Sequence, residues 1–510
     1  MSEPFPVGPP PETRPEPPPE TPWQRLDTRM LLVHPVREIV KFLPVLIGLF
    51  LASTATERGT YFQLFIVVIP ITIGIVRYAT TRYRIQGDRV ELQRGLISTH
   101  LATTALDRVR TVDLTASPIH RLLGLVTVRI GTGTSEDDFD LDGLSAEHAR
   151  ELRQRLLTSI ARPAPPTEGE GGPVPGGEKV VARFEAGWLR FAPFTSAGFV
   201  LAAGVIGVGS QVLDGLGVFS GIEVDGDQID QAVSAAALVA IPALLVTVAV
   251  IAAVFAVLGY LVSNGNFALS HTTPDGSWHV RRGLLTTRET SLDDHRLRGA
   301  AVGEPWGLRL VRGGRLNAIV TGLNRSDSGS ATLLPPTPRD LVDRVAAEVV
   351  GTPEPVHAPL RDHGTRARTR RYVRAVVPAV VVAAAVVAIA VGVGWAWVAV
   401  LAVLPLLLGV GLAVDRARSL GHTLVDGWFV ARSGSLTRKR ELLAADAIIG
   451  WNLRSTWFQR RAGLTTLTAT TAGGSQSVTA LDVPTPDAVA VADAAVPGLL
   501  AQFFPSSGPL

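Results

Sequence analysis

The chain has 510 residues and a formal net charge of +3; 46% of it is hydrophobic and only 18% is charged, with a mean hydropathy of +0.28. That charged share lies well below the ~25% of ordinary soluble domains, which argues against a disordered chain, a nucleic-acid-binding tail or an average soluble enzyme. The absence of cysteine removes disulfides, thiolate metal sites, a cysteine nucleophile and cysteine lipidation from consideration.

Residues 1–22 contain ten prolines and no apolar h-region. They read as a disordered, Pro-rich tail and not as a signal peptide. Uncharged runs follow at Phe42–Thr56, Gly59–Val76, Phe191–Leu213, Gln231–Pro274 and Ala375–Val414. About 20 apolar residues cross a bilayer core, so the last run, about 60 Å as a helix, reads as two spans broken at Gly392-Val393-Gly394-Trp395. The expectation is six transmembrane helices in three hairpins, at 23–79, 188–262 and 372–415.

Basic residues flank the hairpins: Arg25, Arg29, Arg37 and Lys41, then Arg77, Arg82 and Arg84, then Arg183 and Arg190. A cluster of Arg361, Arg366, Arg368, Arg370, Arg371 and Arg374 precedes the fifth helix, and Arg416 and Arg418 follow the sixth. The loop inside the middle hairpin holds Asp214, Glu223, Asp225, Asp227 and Asp230 without a base. Basic flanks stay in the cytoplasm, so a multi-pass plasma-membrane protein with both termini cytoplasmic is expected. The arginine cluster is also the candidate grip for anionic lipid headgroups.

The stretches between hairpins resemble one another. Strand–turn–strand patterns turn at Gly87-Asp88, at Pro274-Asp275-Gly276 and at Asp426-Gly427, and glycines follow at Gly95, Gly283 and Gly434. Gly124 and Gly463 recur at a common distance beyond Gly95 and Gly434, whereas the middle copy has Gly313 and Gly314 slightly off that register. These glycines read as structural positions where a strand bends. Closing helices are expected after Ser145, Thr337 and Thr485. The resulting units lie at 80–161, 263–350 and 416–500, joined by linkers at 162–187 and 351–371, with a tail at 501–510.

Arg94-Gly95-Leu96-Ile97, Leu106 to Val112, Leu123-Gly124-Leu125, Arg282-Gly283-Leu284-Leu285, Arg296 to Arg298 and the more degenerate Ser433-Gly434-Ser435-Leu436 resemble the bacterial pleckstrin-homology-like (PH-like) domain. The whole resembles membrane proteins of the YdbT type, with three copies of that domain. The resemblance implies an α+β integral membrane protein in which each hairpin precedes a small antiparallel barrel of about seven strands, closed by a C-terminal helix. It implies no enzymatic reaction and no cofactor. Implied partners are the lipid bilayer and membrane or cytoplasmic proteins, including a smaller protein of the same family; nucleic acid is not among them.

Motifs that carry chemistry are sparse. Asp138-Phe139-Asp140-Leu141-Asp142-Gly143 matches the start of a calcium loop, but its twelfth position is Ala149 instead of a bidentate glutamate. The better reading turns Phe139 and Leu141 inward and the carboxylates to water, with Ser145 capping a helix. No His-Glu-x-x-His, nucleophile-elbow or phosphate-loop sequence occurs. The expected function is therefore a membrane-anchored scaffold or assembly protein presenting three PH-like modules for protein or lipid-headgroup binding, with a role in cell-envelope maintenance or stress. The alternative is a transporter or channel component, which Pro44, Pro70, Pro242, Pro378 and Pro405 keep open because interrupted helices can line sites. On the scaffold reading, small residues (Ala202, Gly204, Gly207, Gly392, Gly394) set helix packing.

Overall fold

The structure, a computed structural model, describes residues 22–31, 33, 72, 75–76, 78–86, 89–94, 100–105, 111–131, 139–152, 178–195, 204, 207, 229–272, 276–321, 332–394, 396–472 and 477–498. The N-terminal tail but for its last residue, most of the first expected membrane hairpin, most of the third expected span, the acidic loop before residue 229, Gly95 and the 501–510 tail lie outside the described residues. Two compact units are present, one with bounds Met1–Val109, Ile119–Val128 and Phe139–Pro166, the other Arg110–Pro118, Arg129–Asp138 and Thr167–Leu510.

In the first unit, β1 (Gln24–Arg25), β2 (Arg82–Gln86), β3 (Arg89–Arg94) and β4 (His100–Ala105) form an antiparallel sheet in chain order. β5 (Thr111–Ala116) belongs to the second unit; α1 (Pro118–Leu123), β6 (Leu125–Gly131) and β7 (Phe139–Ser145) follow it in sequence. Gly124 ends α1 with φ 69°, a left-handed conformation that glycine adopts without a Cβ clash. Arg29 Nη1 donates to the carbonyl of Leu123 at 3.0 Å, and Ala146 N donates to that of Gly124 at 3.0 Å. The Ser145 hydroxyl accepts from His148 N at 3.3 Å, the expected cap.

The second unit continues with β8 (Glu178–Arg183), a 3₁₀ segment at Ala186–Phe194, and α2 (Ile229–Asn264). Next come β9 (Ala268–Thr272), β10 (Ser277–Arg282), β11 (Thr287–Asp293), β12 (Leu297–Pro305), α3 (Trp306–Leu310), β13 (Gly313–Val320), β14 (Thr332–Pro338) and α4 (Arg339–Val350). After a short α5 (Glu354–His357), α6 (Gly364–Gly392) and α7 (Val403–Ser419) form an apolar helical pair. The chain closes with β15 (Gly421–Val425), β16 (Trp428–Gly434), β17 (Thr437–Ala444), β18 (Gly450–Arg454), α8 (Trp457–Ala462), β19 (Leu464–Thr470), β20 (Ser477–Pro484) and α9 (Thr485–Ala495). The succession of four strands, a short helix, two strands and a helix thus runs three times along the chain. The corresponding position after each short helix is left-handed in all three: Gly124 at 69°, Arg312 at 54° and Gly463 at 67°. Arg312, not Gly313 or Gly314, keeps the register in the middle segment.

Turn chemistry follows the sequence. Asp426 and Gly427 have φ 49° and 74°, the two positive values a tight type I′ hairpin requires. Gly283 and Gly434 sit at φ 105° and 113°, and a Cβ on either would run into a carbonyl, that of Thr286 or Thr437. Two expected caps differ. The Thr337 hydroxyl is buried without a partner, and α4 begins instead with Arg339 N donating to the Arg312 carbonyl at 3.0 Å. Thr485 is the first residue of α9, and its hydroxyl donates to the Gly463 carbonyl at 3.2 Å.

The expected closed barrels are absent among the described residues. The third and fourth strands of a segment do not pair with each other. In the second unit β11 pairs antiparallel with β5, Thr290 opposite Asp113, and β17 pairs with β12, Glu441 opposite Ala301. Each is a junction between the fourth strand of one segment and the third strand of the next. With the segments matched at Gly124, Arg312 and Gly463, both junctions have the same register. The third and fourth strands are separated by 3₁₀ turns, Asp294–Arg296 and Ala445–Ala447, that redirect the chain from one sheet to the other. The two sheets of a segment instead stack face to face: Leu269, Trp278 and Leu292 share one core with Ala300, Leu316 and Leu334, and Phe429 and Leu443 share another with Leu467, Val478 and Ala488.

Three helices among the described residues are long and apolar enough to cross a membrane: Val246–Asn264, Gly364–Gly392 and Val398–Ser419. The last two are joined where the sequence predicted, with α6 ending at Gly392 and Gly394 at φ 81°. Their contact is made by small residues. A Cβ at Gly409 would overlap that of Ala379 and lie 3.3 Å from the Ala375 carbonyl, and Ala375, Ala383, Ala413 and Ala417 are buried. Close approach of this kind carries helix association in lipid, where the hydrophobic effect gives little. A Cβ at Gly392 or Gly394 would meet nothing within 4 Å, so among the described residues the packing stripe between α6 and α7 is Gly409 with its alanines. Gly409→Val is therefore expected to cost ~1–3 kcal/mol through overpacking, whereas Gly411→Val, at a position with nothing within 4 Å of a Cβ, should leave the thermal midpoint of the detergent-solubilised protein nearly unchanged.

Candidate functional site

The arginine cluster lies at the foot of α6, which begins earlier than the sequence implied, with His363 as its N-cap. Only part of the cluster is left for ligands. Arg370 and Arg371 form ion pairs with Asp482 at 3.3 and 2.5 Å; the Asp482 side chain is 1% exposed and those of the two arginines 14% and 13%. Arg361 pairs with Asp487 at 2.8 Å and Arg368 with Asp362 at 3.0 Å, both nearer solvent. Arg366 Nη1 donates to the Ala462 carbonyl at 3.4 Å beside Gly463, in the way Arg29 meets Leu123 beside Gly124. Arg374 is exposed.

Asp482 anchors a polar network of its own. Gln459 Nε2 donates to Asp482 Oδ1 at 2.8 Å and to Thr466 Oγ1 at 2.9 Å, and Gln459 completes a capping box with Thr456 on α8. The first segment repeats the arrangement with other residue types. Asp142 accepts from Thr127 Oγ1 at 2.5 Å and meets His120 Nε2 at 3.2 Å. Asp142 is thus turned into the protein, not to water as the sequence implied, and Gly143, at φ 91°, makes room for the buried Met30. In the middle segment the corresponding helix position is the fully buried Leu308.

Beside Asp482 lies a histidine pair that sequence reasoning missed. His363 Nδ1 lies 2.9 Å from the Leu481 carbonyl, and His363 Nε2 lies 2.8 Å from His422 Nδ1. A carbonyl only accepts, so His363 donates through Nδ1 and His422 donates to His363. Burial, then the neighbouring His363 and Arg361 charges, push His422 down to about 4, and burial also lowers His363. Both rings are therefore neutral at pH 7.

A second basic locus lies where the 3₁₀ segment leads toward the third expected span. A 590 Å³ cavity is lined by Arg190, Phe194, Val311, Arg312, Pro338, Arg339 and Asp340. Arg339 is occupied by Glu304 and, at 2.8 Å, by Asp343. Among the described residues neither Arg190 nor Arg312 forms an ion pair, and both are exposed. A further clamp ties the middle segment to α7: Arg309 holds Asp415 through two bonds of 2.6 and 3.0 Å, and Arg438 joins at 3.0 Å.

Comparison with known proteins agrees with this architecture in part. Residues 41–159 and 372–494 match the bacterial PH domain. Both segments are thus similar to the bacterial PH domain. They contain the two Asp-centred networks, whereas the middle segment lies between them. The UPF0699 transmembrane protein YdbT of Bacillus subtilis (strain 168) is 24% identical over 94 residues, 18% of this chain and 19% of that protein. The match thus spans about a fifth of that relative's length. No solved structure matches the chain. With three apolar helices and a transmembrane relative, the chain is a membrane-associated protein.

Two expectations follow from the geometry. Asp482→Asn leaves two largely buried guanidiniums without their counter-charge, and breaking such a pair costs ~3–5 kcal/mol, so the thermal midpoint should fall sharply; Asp487→Asn, whose partner Arg361 is 60% exposed, should change it little. The histidine pair sets a pH dependence. His422 binds its proton more readily unfolded than folded, so its contribution is complete above about pH 6.5 and is lost as pH falls toward about 4. Thermal unfolding at pH 7.5 and 5 should show the loss, about 2 kcal/mol at pH 5 for this group, and His422→Asn should remove most of it.

Proposed function

We propose that this protein is a membrane-anchored scaffold without catalytic activity that holds three PH-like modules, the middle one diverged, as one continuous platform on the cytoplasmic face of the plasma membrane. The observation that carries the reading is the splicing of sheets across segments: strand pairs β5–β11 and β12–β17 make neighbouring modules parts of one hydrogen-bonded array. Modules joined in this way present surface at fixed spacing, which suits an assembly role better than independent tethered domains would. The membrane part consists of six helices in three hairpins, with both termini inside, supported by the basic flanks and by the described pair α6–α7. The platform's partners are the bilayer and membrane or cytoplasmic proteins. The cavity beside Arg190 and Arg312 favours a supplementary role in holding an anionic headgroup, because two exposed guanidiniums without carboxylate partners face it. A transporter reading is less well supported, since the described spans are joined by small-residue packing and their charged groups are confined to the ends.

Reporter fusions test the topology: Gly351 should report cytoplasm, and Gly226 and Gly394 the outside. A cytoplasmic Gly226 would remove the second hairpin. Crosslinking with mass spectrometry in native membranes should recover stable protein partners, while proteoliposomes containing the purified protein should show no solute flux. Flux without partners would replace the scaffold by the transporter.

A further inference from the structure

The two in-chain junctions leave one strand over at each end of the array. In both, a third strand pairs with the fourth strand of the segment before it. Among the described residues the third strand of the first segment, β4, is the last strand of its sheet, and the fourth strand of the third segment, β18, is the last of its own. An unpaired strand edge is a row of unsatisfied backbone donors and acceptors, and proteins cover such edges or use them.

The neighbourhood of β18 points to use. In the middle segment the helix after the fourth strand is seated on the next segment: Trp306 N donates to the Leu436 carbonyl at 2.6 Å, and Arg309 holds Asp415 and the Ser435 carbonyl. The corresponding helix after β18 is α8, where Phe458 is 69% exposed; Trp457, the counterpart of Trp306, is 58% exposed, much as Trp306 is at 57%. A strand edge unpaired among the described residues and the exposed Phe458 therefore adjoin where the in-chain junctions carry a neighbour.

We propose that β18 docks the β4 edge of a second copy of this chain, repeating the in-chain junction between molecules. The repeat fixes the register. Asp113, Ala301 and Asn452 occupy one position of the fourth strand, and Ala102, Thr290 and Glu441 one position of the third. Since Asp113 faces Thr290 and Ala301 faces Glu441, Asn452 faces Ala102, with Leu453 opposite Leu101 and Arg454 opposite His100. Every residue of β18 then has a partner within β4. The contact is head-to-tail, so copies join into a closed ring or a row, depending on the rotation at each junction.

The chain has no cysteine, so introduced cysteines report the contact directly. Two differently tagged forms, one Ala102→Cys and the other Asn452→Cys, are co-expressed and their membranes oxidised. Facing residues of an antiparallel pair have Cα atoms ~4.5–5.5 Å apart, inside the ~4.4–6.8 Å that a disulfide spans. The proposal expects a reducible dimer carrying both tags. The same result is expected for Leu101→Cys with Leu453→Cys, but none for the off-register pair His100→Cys with Gly450→Cys. It is overturned if neither in-register pair links copies although the variants accumulate in the membrane as the parent does. It is equally overturned if a chain carrying both Ala102→Cys and Asn452→Cys closes only on itself, or if the cysteines link only to a different protein.

Discussion

Backbone hydrogen bonding at the third and fourth strands of each segment governs this architecture. A short 3₁₀ turn such as Asp294–Arg296, held by the Asp293 side chain accepting from His295 N at 2.9 Å, sends the chain out of one sheet and into the next. The strands on either side of the turn cannot then satisfy one another, and buried backbone groups must be paired. They pair with neighbouring segments. The packing follows: Val430 and Leu442 of the third segment belong to the core of the second, and Ile319 of the second belongs to the core of the third. The apolar helix α7 is fixed to the same junction, because its Asp415 is held by Arg309 from one segment and Arg438 from the next.

Much of the local structure was legible in the sequence. Asp426-Gly427 specified its turn, Gly283 and Gly434 marked bends that need positive φ, and Gly392–Gly394 marked the break between two apolar helices. The partner of each strand was not legible. Alternating residues along β12 or β17 tell which face is buried, but sequence periodicity is the same whether the neighbour is the next strand or one from another segment. A barrel was therefore inferred where the sheets are spliced. The left-handed Arg312 was missed for a related reason: with arginine at that position, the eye is drawn to Gly313 and Gly314.

The arginine cluster shows the same limit at the level of a site. Six basic residues before an apolar helix read as a headgroup grip, yet the acid that occupies Arg370 and Arg371 lies more than a hundred residues away, in a strand with an otherwise ordinary alternating pattern. The signal that could have revealed it is the alignment at Gly124 and Gly463, which matches His120 with Gln459 and puts Asp142 one position from Gly143, the left-handed counterpart of Asp482. The network ties the foot of the apolar helix α6 to the strands and helix of the third segment. In the middle segment apolar Leu308 takes the corresponding place, and Tyr260 at the end of α2 reaches the Pro336 carbonyl at 2.7 Å instead. The same mechanical link is thus made with different chemistry.

The central claim is that adjacent segments share sheets instead of closing on themselves. In the cysteine-free background the direct measurement is disulfide mapping within a single chain in native membranes. Ala301→Cys with Glu441→Cys, which face each other across the β12–β17 junction, should oxidise to an intramolecular bridge. A self-closed barrel would bring Thr290 opposite Ala300 across a hairpin of the third and fourth strands. A bridge between Thr290→Cys and Ala300→Cys, with none between Ala301→Cys and Glu441→Cys, would contradict the spliced architecture.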